Sequence, residues 1–211
     1  MKIGVLALQG AFREHAALLR RCGAEPSEIR LPEELAGVDG LVVPGGESTT
    51  MWKLIVLYGF EKPLLDLAGM DIPFFGTCAG AILLAGRHND SETEALGIID
   101  ISVSRNAYGR QIDSRETNIT LSFSPQEPFN ALFIRAPVID ETGPDVTVLA
   151  RYRGKPVLVR QDTVLAATFH PELTEDERIH RYFLGMCTAA AISRTRAVPA
   201  PCPSFSHSVI P

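Results

Sequence analysis

The sequence of 211 residues carries no excess of basic side chains: 20 Lys and Arg stand against 25 Asp and Glu, a formal charge of −5. A protein that tracks nucleic-acid phosphates needs a basic stripe, so nucleic acid is not an expected partner. Long apolar runs are also missing. The longest uncharged stretches, Ile72 to Gly86 and Ala197 to Pro211, both contain proline and fall short of the roughly 20 apolar residues that a membrane-spanning helix needs. The opening Met1-Lys2-Ile3-Gly4 runs into a strand-like segment rather than a signal peptide, so no membrane partner and a cytoplasmic location are expected. Cysteine is scarce. Cys22, Cys78, Cys187 and Cys202 form no Cys-x-x-Cys pair, which argues against a zinc site or a disulfide framework. His15, His88, His180 and His207 show no paired ligand spacing and are expected at the surface. Cys22, Cys187 and the single Trp52 are expected in the core, Trp52 alternatively at a partner contact. No internal repeat is present.

What the chain does have is 45% hydrophobic and 21% charged residues, enough to bury a core without staples and too apolar for a disordered polymer. Short apolar runs alternate with helical patterns through the first half. Lys2 to Leu8 reads as a buried strand. Phe12, Ala16 and Leu19 then recur at helical spacing, and Gly23 stops that helix. Strands are expected at Glu25 to Arg30, Gly40 to Val43 and Phe74-Phe75, with helices from Glu47-Ser48-Thr49 to about Leu57 and over Ala81 to Ala85. This alternation signals a mainly parallel sheet covered on both faces.

The second half reads as strands with short connections: Ile98 to Val103, Thr117 to Phe123, Ala131 to Ile134, Val146 to Arg151, Pro156 to Arg160 and Val164 to Phe169. A capping box, Thr174-x-x-Glu177, is expected to open a last helix with Ile179, Phe183 and Met186 on its apolar stripe. From Ala197 onward the chain is rich in proline and has no charge. Residues 1–196 thus read as one domain, and 197–211 as a Pro-rich tail expected to be disordered.

Gly76-Thr77-Cys78-Ala79-Gly80 falls between a predicted strand and a predicted helix, the nucleophile-elbow arrangement with cysteine as the nucleophile. The glycines permit a tight turn, the helix N-terminus favours a thiolate, and the Ala79 N–H can face a developing oxyanion. Taken alone, the pentapeptide fits a buried structural cysteine equally well. His170-Pro171-Glu172 follows another predicted strand. In extended chain residues two apart point the same way, so His170 can act as base to Cys78 while Glu172 orients the imidazole. Pro44-Gly45-Gly46-Glu47-Ser48-Thr49 lacks the lysine and spacing of a Walker A loop. It exposes backbone N–H groups before a helix, and Gly46 is a candidate second oxyanion donor; a plain capped turn is the alternative.

Together, the Cys78 pentapeptide and His170-Pro171-Glu172 resemble the class I, or triad, glutamine amidotransferases. Gly4 to Gly10, Pro44 to Thr49, Arg105 to Gln111 and Phe133 to Pro137 narrow the resemblance to the glutaminase subunits of pyridoxal 5′-phosphate synthases, over about Lys2 to Ile192. The resemblance implies a three-layer α/β/α fold with an open, mostly parallel, flavodoxin-like sheet. It implies Cys78, His170 and Glu172 as the triad, and glutamine contacts from Gly46, Glu47, Ser48, Arg105, Ile134 and Arg135. It also implies no metal or organic cofactor, L-glutamine as substrate, and a barrel-shaped synthase subunit that receives the ammonia. A glutaminase for a histidine or purine pathway, or a non-catalytic binding module, remains the alternative. Arg115 departs from the pattern, standing where the family usually has an aromatic residue.

Overall fold

The computed structural model describes residues 1–88, 94–105 and 114–197. In chain order the first half comprises β1 (Lys2–Leu6), α1 (Phe12–Arg21), β2 (Glu25–Ile29), β3 (Gly40–Val43), α2 (Ser48–Leu57), α3 (Glu61–Gly69), β4 (Phe74–Thr77) and α4 (Ala79–Leu84). The second half comprises β5 (Ala85–His88), β6 (Ile99–Ser104), β7 (Ser114–Leu121), β8 (Ser124–Ile134), β9 (Val138–Thr142), β10 (Thr147–Tyr152), β11 (Lys155–Gln161), β12 (Val164–Ala167) and α5 (Arg178–Ala197).

Seven strands form the central sheet in the order β10-β11-β12-β4-β3-β1-β2. The run from β12 to β2 is parallel, and β11 and β10 extend one edge antiparallel. The parallel part has the flavodoxin-like order, with β12 in the fifth place. Successive residues of each strand feed opposite cores, as a pleat requires. Leu41, Val43, Phe74, Val164 and Ala166 pack with Met51, Trp52 and Ile55 of α2, Leu64 of α3 and Ile82 of α4. Val42, Phe75, Leu165 and Ala167 pack with Ala16 and Leu19 of α1 and with Ile179, Phe183 and Cys187 of α5. Phe74 and Phe75 are both fully buried. Each contributes about 1.5–3 kcal/mol, so this dipeptide clamps β4 between the two helical layers. Burial on both faces explains why the parallel strands read as continuous apolar runs.

The outline read from the sequence holds, with specific corrections. Among the described residues, only β10, β11 and β12 of the later strands join the main sheet; β5-β6-β9 and β7-β8 form separate small sheets. The strand expected at Thr117 to Phe123 runs from Ser114 to Leu121, and its partner β8 starts ten residues before Ile134, at Ser124. α3, β5 and β9 were not expected. The helix after Cys78 spans Ala79–Leu84, and Ala85 already belongs to β5. The last helix begins at Arg178 rather than Thr174. The Thr174 hydroxyl accepts from Asp176 N at 3.3 Å, and the Asp176 carboxylate accepts from Arg178 N at 3.0 Å. Glu177 instead pairs with Arg21 and Arg181. Cys187 and Trp52 are core residues, but Cys22 is only half-buried. Arg115 donates to the Tyr152 hydroxyl at 2.8 Å, which gives it a polar partner on a neighbouring strand. α5 runs through Ala197; the remainder of the Pro-rich segment, with Cys202 and His207, lies outside the described residues. Among the described residues no helix is long and apolar enough to cross a membrane.

Candidate active site

The sheet order sets β12, β4, β3 and β1 side by side. The loops leaving their carboxyl ends therefore share one edge, where open α/β sheets hold ligands. Those loops carry His170 after β12, Cys78 after β4, Gly45-Gly46-Glu47 after β3 and Gln9 after β1.

Cys78 has φ 48° and ψ −105°, a backbone conformation that a non-glycine residue keeps only when its surroundings impose it. The flanking glycines make the turn possible. A Cβ on Gly76 would come within 2.8 Å of the Gly80 carbonyl, and one on Gly80 would run into the carbonyl oxygen of Val43. Cys78 Sγ lies 3.9 Å from the Ile134 carbonyl oxygen, and the residue is 7% exposed.

His170 Nδ1 and Glu172 Oε1 share a hydrogen bond of 2.7 Å, and both residues are buried. Burial works to lower the pKa of His170. The hydrogen bond to Cys78 and the bond and charge of Glu172 outweigh it and raise the value to about 10. With that value His170 is protonated at neutral pH, the form that can protonate a leaving group. Its backbone N–H donates to Leu132 O at 2.9 Å, and Gly45 lies so close that a Cβ there would strike the imidazole.

A cavity of about 300 Å³ opens over Cys78 and His170, at the small end of ligand pockets. Gly46, Glu47, Ser48 and Ala79 line one part of it, and Arg105, Ile134 and Arg135 another. The structure thus brings together every residue expected to touch substrate. Glu172 does not line the cavity; it stands behind His170. Residues 106–111 of the motif that starts at Arg105 lie outside the described residues.

Glu47 differs from the Ser/Thr cap that a plain turn would use. Its own carboxylate caps α2, accepting from Thr49 N at 3.2 Å, Thr50 N at 2.7 Å and Thr50 Oγ1 at 2.8 Å. Burial raises its pKa, but the bonds from Thr50 and Thr49 prevail and bring it to about 2. Arg105 donates to the same carboxylate at 3.2 Å and to Thr49 Oγ1 at 3.1 Å. Arg105 is thus anchored at the cavity rim rather than standing in solvent.

Several partners of this loop were not identified as such from the sequence. Gln9 Oε1 accepts from Glu47 N at 2.8 Å, Gly45 O accepts from Ala11 N at 3.0 Å, and Thr77 Oγ1 accepts from Gly45 N at 3.0 Å. His15 and His180, expected at the surface, are fully buried. His15 Nδ1 lies 2.9 Å from His180 Nε2, and His15 Nε2 lies 3.0 Å from Thr77 Oγ1. The available signal was helical spacing: His15 falls on the buried stripe with Ala16 and Leu19, and His180 beside Ile179 and Phe183. Burial, then His180 and His170, push the pKa of His15 well down, and burial alone takes His180 to about 3. Among the described residues no group of three His, Cys, Asp or Glu could hold a metal ion.

Residues 5–189 match the SNO glutamine amidotransferase family. The chain is 54% identical over 190 residues to the pyridoxal 5'-phosphate synthase subunit PdxT of Pelotomaculum thermopropionicum, covering 90% of this chain and 97% of that one. It is 51% identical over 186 residues to the subunit of the same name from Thermotoga maritima, covering 88% and 99%. A crystal structure of a glutamine amidotransferase superposes with a TM-score of 0.83 at 49% identity, covering 88% of this chain and 98% of that one. PurLQS from Thermotoga maritima shares the fold alone, at 16% identity and a TM-score of 0.62 over 92% of this chain and 98% of that one.

Proposed function

Because the chain belongs to the SNO glutamine amidotransferase family, we propose that the cavity over Cys78 hydrolyses L-glutamine to L-glutamate and ammonia. The chain acts as the glutaminase subunit of a pyridoxal 5′-phosphate synthase. Identity of about half to PdxT subunits over nearly their full length supports that synthase over a histidine or purine pathway. The observation that carries the chemistry is a cysteine at φ 48° that lines one cavity with a histidine, which a buried carboxylate holds at 2.7 Å.

Cys78 Sγ attacks the side-chain carbonyl carbon of glutamine, and the oxygen that becomes negative is received by the N–H groups of Ala79 and Gly46. Collapse of the tetrahedral intermediate breaks the C–N bond, and the proton on His170 passes to the departing ammonia. Water, deprotonated by His170, then hydrolyses the γ-glutamyl thioester and frees the thiolate. Glu172 keeps the imidazole aligned and stabilises its charged form. Gly46, Glu47, Ser48, Arg105, Ile134 and Arg135 hold the substrate.

Ammonia released into water is lost to a synthase. The chain therefore couples to a synthase subunit, proposed to be barrel-shaped and to meet it in the cytoplasm, with residues 1–196 as the proposed catalytic unit. The loop bearing Gly46 is pinned from two sides, by the Gln9–Ala11 turn and by Thr77, so a docked partner that shifts that turn also shifts the oxyanion donors. The direct test is Cys78→Ala in the reconstituted complex. Ammonia release from glutamine should vanish while the complex still forms, and retained glutaminase activity would overturn the assignment.

A further inference from the structure

Glu172 uses one oxygen on His170. The other, Oε2, is buried and has no hydrogen-bond partner. A buried carboxylate oxygen left bare is costly, more so than a neutral group. The nitrogen that faces it is His15 Nε2, 3.4 Å away, with both side chains sealed from solvent. The same Nε2 lies 3.0 Å from Thr77 Oγ1, on the residue preceding Cys78. His15 thus touches the supports of both the base and the nucleophile.

We propose that His15 is a positioning residue of the triad: its Nε2–H, donated to Thr77 Oγ1, also turns its positive end toward Glu172 Oε2 and so holds the carboxylate with Oε1 on His170. The inference rests on the assignment of Glu172 to the triad.

The tautomer follows from the charges. With the proton on Nδ1, a nitrogen lone pair would point at a carboxylate oxygen 3.4 Å away. With the proton on Nε2, an N–H dipole faces the negative charge instead. His180 matches this choice, because its Nε2–H can donate to His15 Nδ1 across 2.9 Å. His180 Nδ1 is then a bare acceptor, a lesser penalty than an orphaned buried N–H. The opposite tautomer would give the Thr77 O–H an acceptor in Nε2, which the chosen one does not, but it would orphan an N–H on His180 and set a lone pair against the carboxylate, so the carboxylate decides. Burial keeps His15 neutral, so it remains a single, fixed donor across the working pH range.

Nitrogen-15 NMR of the unmodified full chain reads the tautomer directly. A protonated Nε2 and bare Nδ1 on His15 are expected, and the reverse would overturn the proposal. Kinetics of the chain with its synthase subunit give the second reading. His15→Leu should lower kcat about 10–100-fold, the usual cost of removing an orienting partner one step behind a reacting group, with KM within a few-fold. It should also move the acid limb of the rate profile upward, since a carboxylate deprived of its donor takes a proton more readily. His15→Gln, which can place an N–H near Nε2, should recover most of the loss. Normal kcat with an unmoved acid limb in His15→Leu would refute the role, as would equal loss in the Gln variant. If the Leu variant fails to fold, the tautomer and the Gln variant's acid limb decide. Glu172→Gln serves as the control. Full activity there would remove the triad reading and this inference with it, whereas loss there beside a normal His15→Leu would remove only this inference.

Discussion

The backbone N–H of Cys78 donates to the carbonyl of Ala167 at 2.8 Å. This bond continues the β4–β12 pairing one step past Thr77 and ties the Cys78 turn to the strand that delivers His170. Cys78 and His170, the proposed nucleophile and base, are thereby registered by sheet hydrogen bonds rather than by loop flexibility. Rigid elements of this kind hold catalytic groups to the tolerance that chemistry demands.

Gly80→Ala tests the elbow's dependence on close backbone approach. The new Cβ would strike Val43 O, backbone that cannot rotate away. Stability should fall by roughly 1–3 kcal/mol, the range for overpacking, and glutaminase activity should fall further than stability alone explains. A variant with unchanged melting temperature and rate would show that the turn tolerates a methyl group.

Glu172→Gln should lower kcat while leaving KM within a few-fold, because an imidazolium needs its carboxylate during reaction and not for binding. A loss of about 10²–10⁴ in kcat is the expected scale for a mis-held histidine. The His170 pKa should drop well below about 10, since Glu172 supplies two of the influences that raise it. NMR titration of His170 together with steady-state kinetics checks both. A large rise in KM at constant kcat would place Glu172 in substrate binding instead.

The two buried histidines make the protein acid-sensitive. Their folded pKa values are depressed, that of His180 to about 3, while the unfolded chain protonates near the ordinary value of about 6.5. Between those values the unfolded state binds more protons, so stability is fully present above about pH 6.5 and falls as pH drops toward the folded value. His180 alone should cost about 2 kcal/mol at pH 5, at about 1.4 kcal/mol per pH unit. Melting curves at pH 7.5 and pH 5 should show a smaller drop for His180→Gln than for the unmodified chain. Equal drops would mean that His180 does not stay neutral in the folded state.

Partner docking should change kcat more than KM. Gln9 Oε1 and Ala11 N hold the loop that carries Gly46, and loss of one oxyanion donor costs roughly 10²–10³ in rate. The isolated chain should therefore be slow, with the synthase subunit raising kcat by up to that factor. Equal kcat for the isolated chain and the reconstituted pair would rule out this coupling even if the triad stands.

Sequence alone determined the parallel α/β layout and the chemistry-bearing turns. Apolar runs such as Gly40 to Val43, glycines around Cys78 and the His170-Pro171-Glu172 step are local patterns, and local backbone rules suffice to read them. Tertiary structure decided what depends on distant partners. Lys155 to Gln161 joins the main sheet whereas Ser124 to Ile134 pairs with β7 in a separate sheet, a choice made by pairing between strands and not by strand propensity. Thr174 offered a sound capping box, yet the helix starts at Arg178, whose side chain reaches across to the Glu127 and Pro128 carbonyls and fixes the entry point. His15 and His180 had the spacing of buried residues but the polarity of surface ones. They went inside because α1 and α5, far apart in the chain, pack on the same face of the sheet, where each ring finds the other, and His15 also finds Thr77, as a partner in place of water.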